Sequence, residues 1–350
     1  MALSQTQKAV WEKARALGSG GQAVRLTDAA CAYLIARIAI DLGLLEHFPE
    51  LCEEVPAFFH SGELDDLVIE GVEPLSLFER LVAINPDGDM YFACLANLHK
   101  ARLKYETILE KQAIPTLEQV GPRGLLQYGK LSPSGLVAFL FWRKWFFDID
   151  NRAGQETGYL FEPVIANAVG GTPVPSSRSP VKRHRDKRKG RQVDCLLGNK
   201  AYELKIRMTI AASGQGRWGE ELDYPVDCKA SGFTPVLVVL DSTPNPKLRE
   251  LTNAFLKQGG EVYIGAQAWE HLDQLAGPTM ASFLERYVRE PIDHLLREVP
   301  EGLPELRARF EGNIMIIALA GEEMRILRHN DEAEDDARDE APDDLFGSDL

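Results

Sequence analysis

Two short alternating runs, 192–197 and 201–206, meet at Gly198-Asn199, and a tight β-hairpin is the arrangement that accommodates them. Side chains alternate along a strand, so Val193, Cys195 and Leu197 are expected on one face and Gln192, Asp194 and Leu196 on the other. In the second run Tyr202, Leu204 and Ile206 make one face, and Ala201, Glu203 and Lys205 the opposite one. With Gly198-Asn199 as the loop, Leu197 pairs with Lys200, and counting back sets Asp194 directly opposite Glu203. Directly opposed residues hold their Cβ atoms about 4.5–5.5 Å apart, close enough for two carboxylates to grip one divalent cation. Without a cation such a pair repels; Mg²⁺, which takes a few carboxylates together with waters and phosphate oxygens, suits it. Lys205 follows two residues later on the same face, where an ammonium can meet a phosphate, orient a water or stabilise developing charge.

An isolated Asp…Glu-x-Lys pattern also describes an ordinary hairpin with charged residues facing solvent, so its surroundings decide. Upstream, the helical stretch 159–169 carries Glu162, and downstream come a helix at 219–230, a strand at 235–240, a helix at 246–258 and a strand at 261–264. The order is αβββαβ, a mixed α/β domain over about residues 151–290. The first 150 residues read as mainly helical: apolar residues recur at helical spacing over 28–45 and 90–109, and a third helix starts after Ser132-Pro133-Ser134. That third helix carries Leu136, Phe139, Trp142, Trp145 and Phe146, aromatics expected in a core or an interdomain seam. Residues 291–330 read as helical pieces, at 280–296 and 304–310, leading into a hairpin of 314–319 with 324–327.

The stretch 158–264 resembles the PD-(D/E)XK nuclease superfamily. The resemblance implies a restriction-endonuclease-like core in which Asp194, Glu203 and Lys205 are catalytic and Glu162, in Gly-Tyr-Leu-Phe-Glu-Pro, is a further metal ligand beside Asp194 and Glu203. Val193 stands where the family name has Pro. The longer runs Gly-Arg-Gln-Val-Asp, Tyr-Glu-Leu-Lys-Ile-Arg and Ser-Gly-Gln-Gly-Arg-Trp are similar to type II restriction endonucleases, the ApaLI-like group in particular. This implies a Mg²⁺-dependent homodimer that cuts both strands of double-stranded DNA at a short palindromic site and leaves 5′-phosphate ends. A structure-directed repair or resolving nuclease, or a DNA-binding protein that does not cleave, would share the same core.

Net charge is −14, which alone speaks against a DNA partner, but ten acidic residues and one Arg crowd into 331–350, leaving −5 for everything before them. That tail lacks the apolar surface to fold and is expected to be disordered. By contrast, 178–191 holds eight Lys or Arg against one Asp, and local charge is what a phosphate backbone meets. Lys182, Arg183, Arg185, Lys187, Arg188, Lys189 and Arg191 are therefore candidate DNA contacts. Past the second strand, Arg207, Gln215 and Arg217 are candidates for base edges, since Gln pairs with adenine and Arg with guanine in the major groove. The seven histidines form no HExxH or similar cluster, no Gly-rich stretch is followed by Lys-Ser/Thr, and no apolar run is long enough to span a bilayer. No nucleotide cofactor and no membrane are expected. Five scattered cysteines without CxxC spacing read as reduced packing residues of a cytoplasmic protein.

Overall fold

The computed structural model describes residues 3–17, 24–51, 54–60, 62–206, 215–298, 302 and 304–328, with the side chains of 215–217 outside the description. The 331–350 tail, Cys52 and Arg207 therefore lie outside the described residues.

The N-terminal part is helical. Helix α1 (Gln5–Arg15) opens on a capping box between Ser4 and Gln7, and α2 (Asp28–Asp41) on Thr27, whose hydroxyl accepts the Ala30 N–H at 3.1 Å. Helices α3 (Pro74–Ile84) and α4 (Gly88–Lys111) complete the bundle, and a single turn, α5 (Leu117–Val120), precedes α6 (Pro133–Ala168). The expected helix after Ser132 and the one at 159–169 turn out to be one 36-residue rod, capped by Ser132 and running through Pro163. Pro163 withdraws the N–H that would bond the Tyr159 carbonyl, but packing of Val164, Ile165 and Ala168 into the core carries the helix onward.

From α6 the chain enters a five-stranded sheet in spatial order β1 (Thr172–Val174), β2 (Val193–Leu197), β3 (Lys200–Lys205), β4 (Thr234–Val239), β5 (Glu261–Ile264). The first three strands are antiparallel and the last three parallel, so β3 is central and mixed. Parallel neighbours need crossovers, supplied by α7 (Gln215–Ala230) and α8 (Pro246–Lys257). Tyr224 and Cys228 of α7, with Leu248, Leu251 and Phe255 of α8, cover one sheet face over Ala201, Leu237 and Val239. The other face, with Cys195, Tyr202, Leu204, Val236 and Val238, merges with the helical bundle and with α9 (Ala266–Leu284) into the main core. The result is helices on both faces of a mixed sheet. Helix α9 kinks at Gly277 and passes through a π-helical turn into α10 (Glu290–Arg297).

The C-terminal part corrects one expectation. Residues 304–310, read as helical, contain strand β6 (Leu306–Glu311), which pairs with β7 (Ile314–Leu319) and through it with β8 (Glu322–Leu327) as an antiparallel meander. The reason is visible in the period of two: Leu306, Ala308 and Phe310 alternate with Arg307, Arg309 and Glu311. Met315, Ile317 and Ile326 of this sheet close over Trp145, with Trp142 and Phe146 beside it, whereas Leu136 packs with Val120 and Leu140, and Phe139, expected in the core or seam, is 45% exposed. Cys31, Cys94, Cys195 and Cys228 are buried free thiols.

Candidate active site

The hairpin forms in the expected register. Leu197 pairs with Lys200, Leu196 with Ala201 and Cys195 with Tyr202, and Gly198 takes the turn with φ of 57°. One step further the ladder changes character. Asp194 Oδ2, in place of a main-chain carbonyl, accepts the Leu204 N–H at 2.9 Å. Alternation fails at the same place: Val193, expected on the face of Cys195, packs instead with Ala201, Val181 and Leu237 on the α7 side. The strand is irregular there, since the β1–β2 register also shifts between Thr172 and Val174. Asp194 is thus anchored through one carboxylate oxygen, and Glu203 is the charge it feels most strongly, although the paired register ends at Cys195 and Tyr202, one step short of the expected Asp194–Glu203 pair.

Glu203 and Lys205 share a face of β3, and Lys205 Nζ lies 3.1 Å from Glu203 Oε1 and 3.6 Å from Glu221 Oε2 of α7. Glu162 reaches the group from α6. Gly158 stands one helical turn earlier, and a Cβ there would come within 3.3 Å of Glu162 Oε1, so the glycine leaves the carboxylate its room. Burial, then repulsion from Glu203, pushes the Glu162 carboxyl up to about 7, against the pull of Lys205. Asp194 is driven well above the usual carboxylate range by burial and by Glu203 and Glu162, with the Leu204 N–H and Lys205 opposing. Burial alone would lower Lys205, but Glu203, Glu221 and Asp194 outweigh it and hold the ammonium above its ordinary range. Three carboxylates, Asp194 buried and Glu162 and Glu203 half-buried, against one ammonium make a region short of positive charge.

Whether a divalent cation fits can be judged from this donor set. Among the described residues no three His, Cys, Asp or Glu side chains form a ready-made cage. All the donors are hard oxygens, however, and burial followed by mutual repulsion raises the Glu162 and Asp194 carboxyls, so a cation among them would be favourably placed. Mg²⁺ is bound through one or two carboxylates plus water and substrate phosphate more often than by an all-protein cage. The set fits such an ion.

The basic segment is more tightly tied to the protein than its charge density suggests. Helix α7 presents Glu220, Asp223 and Asp227 at i, i+3 and i+7, one stripe facing the loop. Arg183 Nη1 lies 2.7 Å from Glu220 Oε1, and Arg185 Nη2 3.0 Å from Asp223 Oδ1. Arg191, expected to touch DNA, is buried: its Nε donates to Asp227 Oδ2 at 2.8 Å and its Nη2 to the same oxygen. Asp227 Oδ1 accepts the His184 backbone N–H at 2.6 Å and lies equally close to His184 Nδ1. Arg188 pairs with Asp186 and stays 90% exposed, while Lys182, Lys187 and Lys189 enter no ion pair among the described residues. Tyr224 fixes α7 to the hairpin by donating to the Tyr202 carbonyl at 2.9 Å. Gln215 and Arg217 fall in the first turn of α7 but their side chains, like Arg207, lie outside the description.

A mixed sheet flanked by helices, with two carboxylates and a lysine where its antiparallel hairpin meets its parallel half, defines a restriction-endonuclease-like fold. Residues 74–289, which span the whole site, match the family model of the ApaLI-like restriction endonucleases. The chain is 42% identical over 329 residues to the Type II restriction enzyme ApaLI of Acetobacter pasteurianus, covering 86% of this chain and 88% of that protein. No solved structure matches. The chain belongs to the ApaLI-like restriction endonucleases, a family of site-specific DNA-cleaving enzymes.

Proposed function

We propose that the chain hydrolyses phosphodiester bonds of double-stranded DNA at a short palindromic site, that the reaction depends on Mg²⁺ and leaves 5′-phosphate ends, and that the working unit is a homodimer. The observation that carries this reading is the anchored Asp194 within reach of the Glu203 charge, with the Lys205 ammonium 3.1 Å from Glu203. Asp194, Glu203 and Glu162 are the residues that would hold Mg²⁺, which lowers the pKa of a bound water and neutralises charge on the phosphate. Lys205 holds its proton firmly between Glu203 and Glu221, so at the scissile phosphate it serves as a cation and hydrogen-bond donor and not as a base. Arg183, Arg185, Lys187, Arg188 and Lys189, with Lys182, supply phosphate contacts that position the duplex without reading it. Base reading falls to Arg207, Gln215 and Arg217. A two-fold symmetric dimer matches the symmetry of a palindrome and brings one centre to each strand.

The deciding experiment incubates purified protein with unmethylated plasmid and phage DNA, in Mg²⁺ or EDTA, beside Asp194→Ala and Lys205→Ala. Discrete Mg²⁺-dependent fragments with ligatable 5′-phosphates, absent in both variants, are expected. Cutting confined to branched junctions would favour a repair or resolving nuclease. Binding without any cutting would leave a DNA-binding protein.

A further inference from the structure

The stripe Glu220–Asp223–Asp227 divides into two kinds of partner. Asp227 is fully buried and clamps Arg191 and His184, so it anchors the middle and the end of the basic loop to α7. Glu220 and Asp223 lie nearer solvent, with side-chain exposures of 51% and 22%, and their partners Arg183 and Arg185 are themselves 35% and 74% exposed. These outer pairs hold no core together. They occupy the two arginines that the loop offers most directly above α7, and Glu220 also lies 3.7 Å from Arg191 Nη1. Next to Glu220 in sequence, Glu221 faces the other way and contacts Lys205, so one turn of α7 lies between the loop and the catalytic lysine.

We propose that Glu220 and Asp223 act as internal competitors for the DNA backbone: they neutralise Arg183 and Arg185 in the free enzyme, and phosphates must displace them. This rests on the reading of the basic loop as a phosphate-contact segment. Non-specific duplex gains from phosphate contacts alone, so a fixed cost levied on those contacts weakens binding to every sequence equally. A cognate site bears the same cost, so its advantage over other sequences is unchanged, but its base contacts keep it bound where non-specific duplex is released. The carboxylates therefore keep the enzyme from being held along arbitrary DNA without altering its chemistry.

The test measures binding to a duplex that the enzyme does not cut, in Ca²⁺ or EDTA and across a salt series. It compares wild type, Glu220→Gln/Asp223→Asn, Arg183→Gln/Arg185→Gln and the fourfold variant, each checked for an unchanged thermal melt. Removing the carboxylates is expected to tighten non-specific binding on the order of fivefold, the scale of two exposed ion pairs. Removing the arginines is expected to weaken it and to lower the salt slope by about 1.8, at about 0.9 per phosphate. In the fourfold variant the carboxylate gain should vanish. An unchanged salt slope in the arginine variant would overturn the loop reading itself. A lowered slope with no gain from removing the carboxylates, or a gain that persists in the fourfold variant, would instead overturn the competitor role and leave only general repulsion between acids and DNA.

Discussion

Asp194 serves two purposes at once: one carboxylate oxygen takes the place of a strand carbonyl at Leu204, and the charge it brings is buried beside Glu203 and Glu162. Asn at this position keeps an oxygen for the Leu204 N–H but loses the charge. Asp194→Asn is therefore expected to lose cleavage by on the order of a thousandfold or more while melting at a higher temperature than wild type in EDTA. Plasmid nicking and calorimetry check the two halves, and a lower melting temperature would contradict the picture of a site held against its own repulsion. Glu162 sets a pH dependence. Its folded carboxyl titrates near 7 against an ordinary 4.5, so the folded state favours the protonated form. The stability it contributes is complete below about pH 4.5 and is lost as pH rises through 7, on the order of 3 kcal/mol in all. In metal-free protein Glu162→Gln should flatten the fall of the melting temperature between pH 5 and 8. Equal slopes for the two proteins would count against Glu162 sharing the buried cluster. The register from Leu197–Lys200 to Cys195–Tyr202 could be counted from the Gly198-Asn199 turn because hairpin register follows loop length. The swap of Val193 to the other face could not, since it depends on a side chain intruding into the main-chain ladder.

At the level of elements, α7 joins the basic loop to the hairpin. Charge density alone marked Arg191 as a DNA contact, yet charge says nothing about its partner, and the partner is Asp227, thirty-six residues on. The signal lay in the i, i+3, i+7 spacing of Glu220, Asp223 and Asp227, an acidic stripe of a length to match a basic segment. Asp227→Ala would strand a buried guanidinium and is expected to cost about 3–5 kcal/mol, Asp227→Asn less. Urea unfolding measures both, and a loss below 1 kcal/mol for the alanine variant would mean that Arg191 can turn out to solvent. The crossover helices and the parallel strands were legible because alternation and helical period differ sharply there. Strand β6 was not, because two prolines and scattered charges around 300–304 resemble the start of a helix.

Across the whole molecule, the three-stranded C-terminal sheet is attached through the seam around the fully buried Trp145 and through Arg328, whose guanidinium donates to the Leu109 and Gln112 carbonyls. Trp145→Ala is expected to cost about 3–5 kcal/mol, with loss of the seam before the catalytic core unfolds. Limited proteolysis should then release a fragment beginning near residue 300. Concerted unfolding with no such fragment would show that the Arg328 contacts hold the sheet without this seam. The match over 74–289 includes α3, α4 and all of α6, so much of the helical part belongs to the same inherited unit as the sheet.

Because α6 is unbroken from Ser132 to Val169, it works like a threaded shaft whose two ends must stay in phase. Trp145 is locked at one end by the C-terminal sheet and Glu162 is presented at the other. One residue inserted between them would turn Glu162 by about 100° and advance it about 1.5 Å, swinging its carboxylate away from Glu203. Substitutions on the outer surface of this segment should be tolerated freely, whereas single-residue insertions or deletions between 146 and 161 should not. Evolution of this shaft is thus constrained in length more than in spelling.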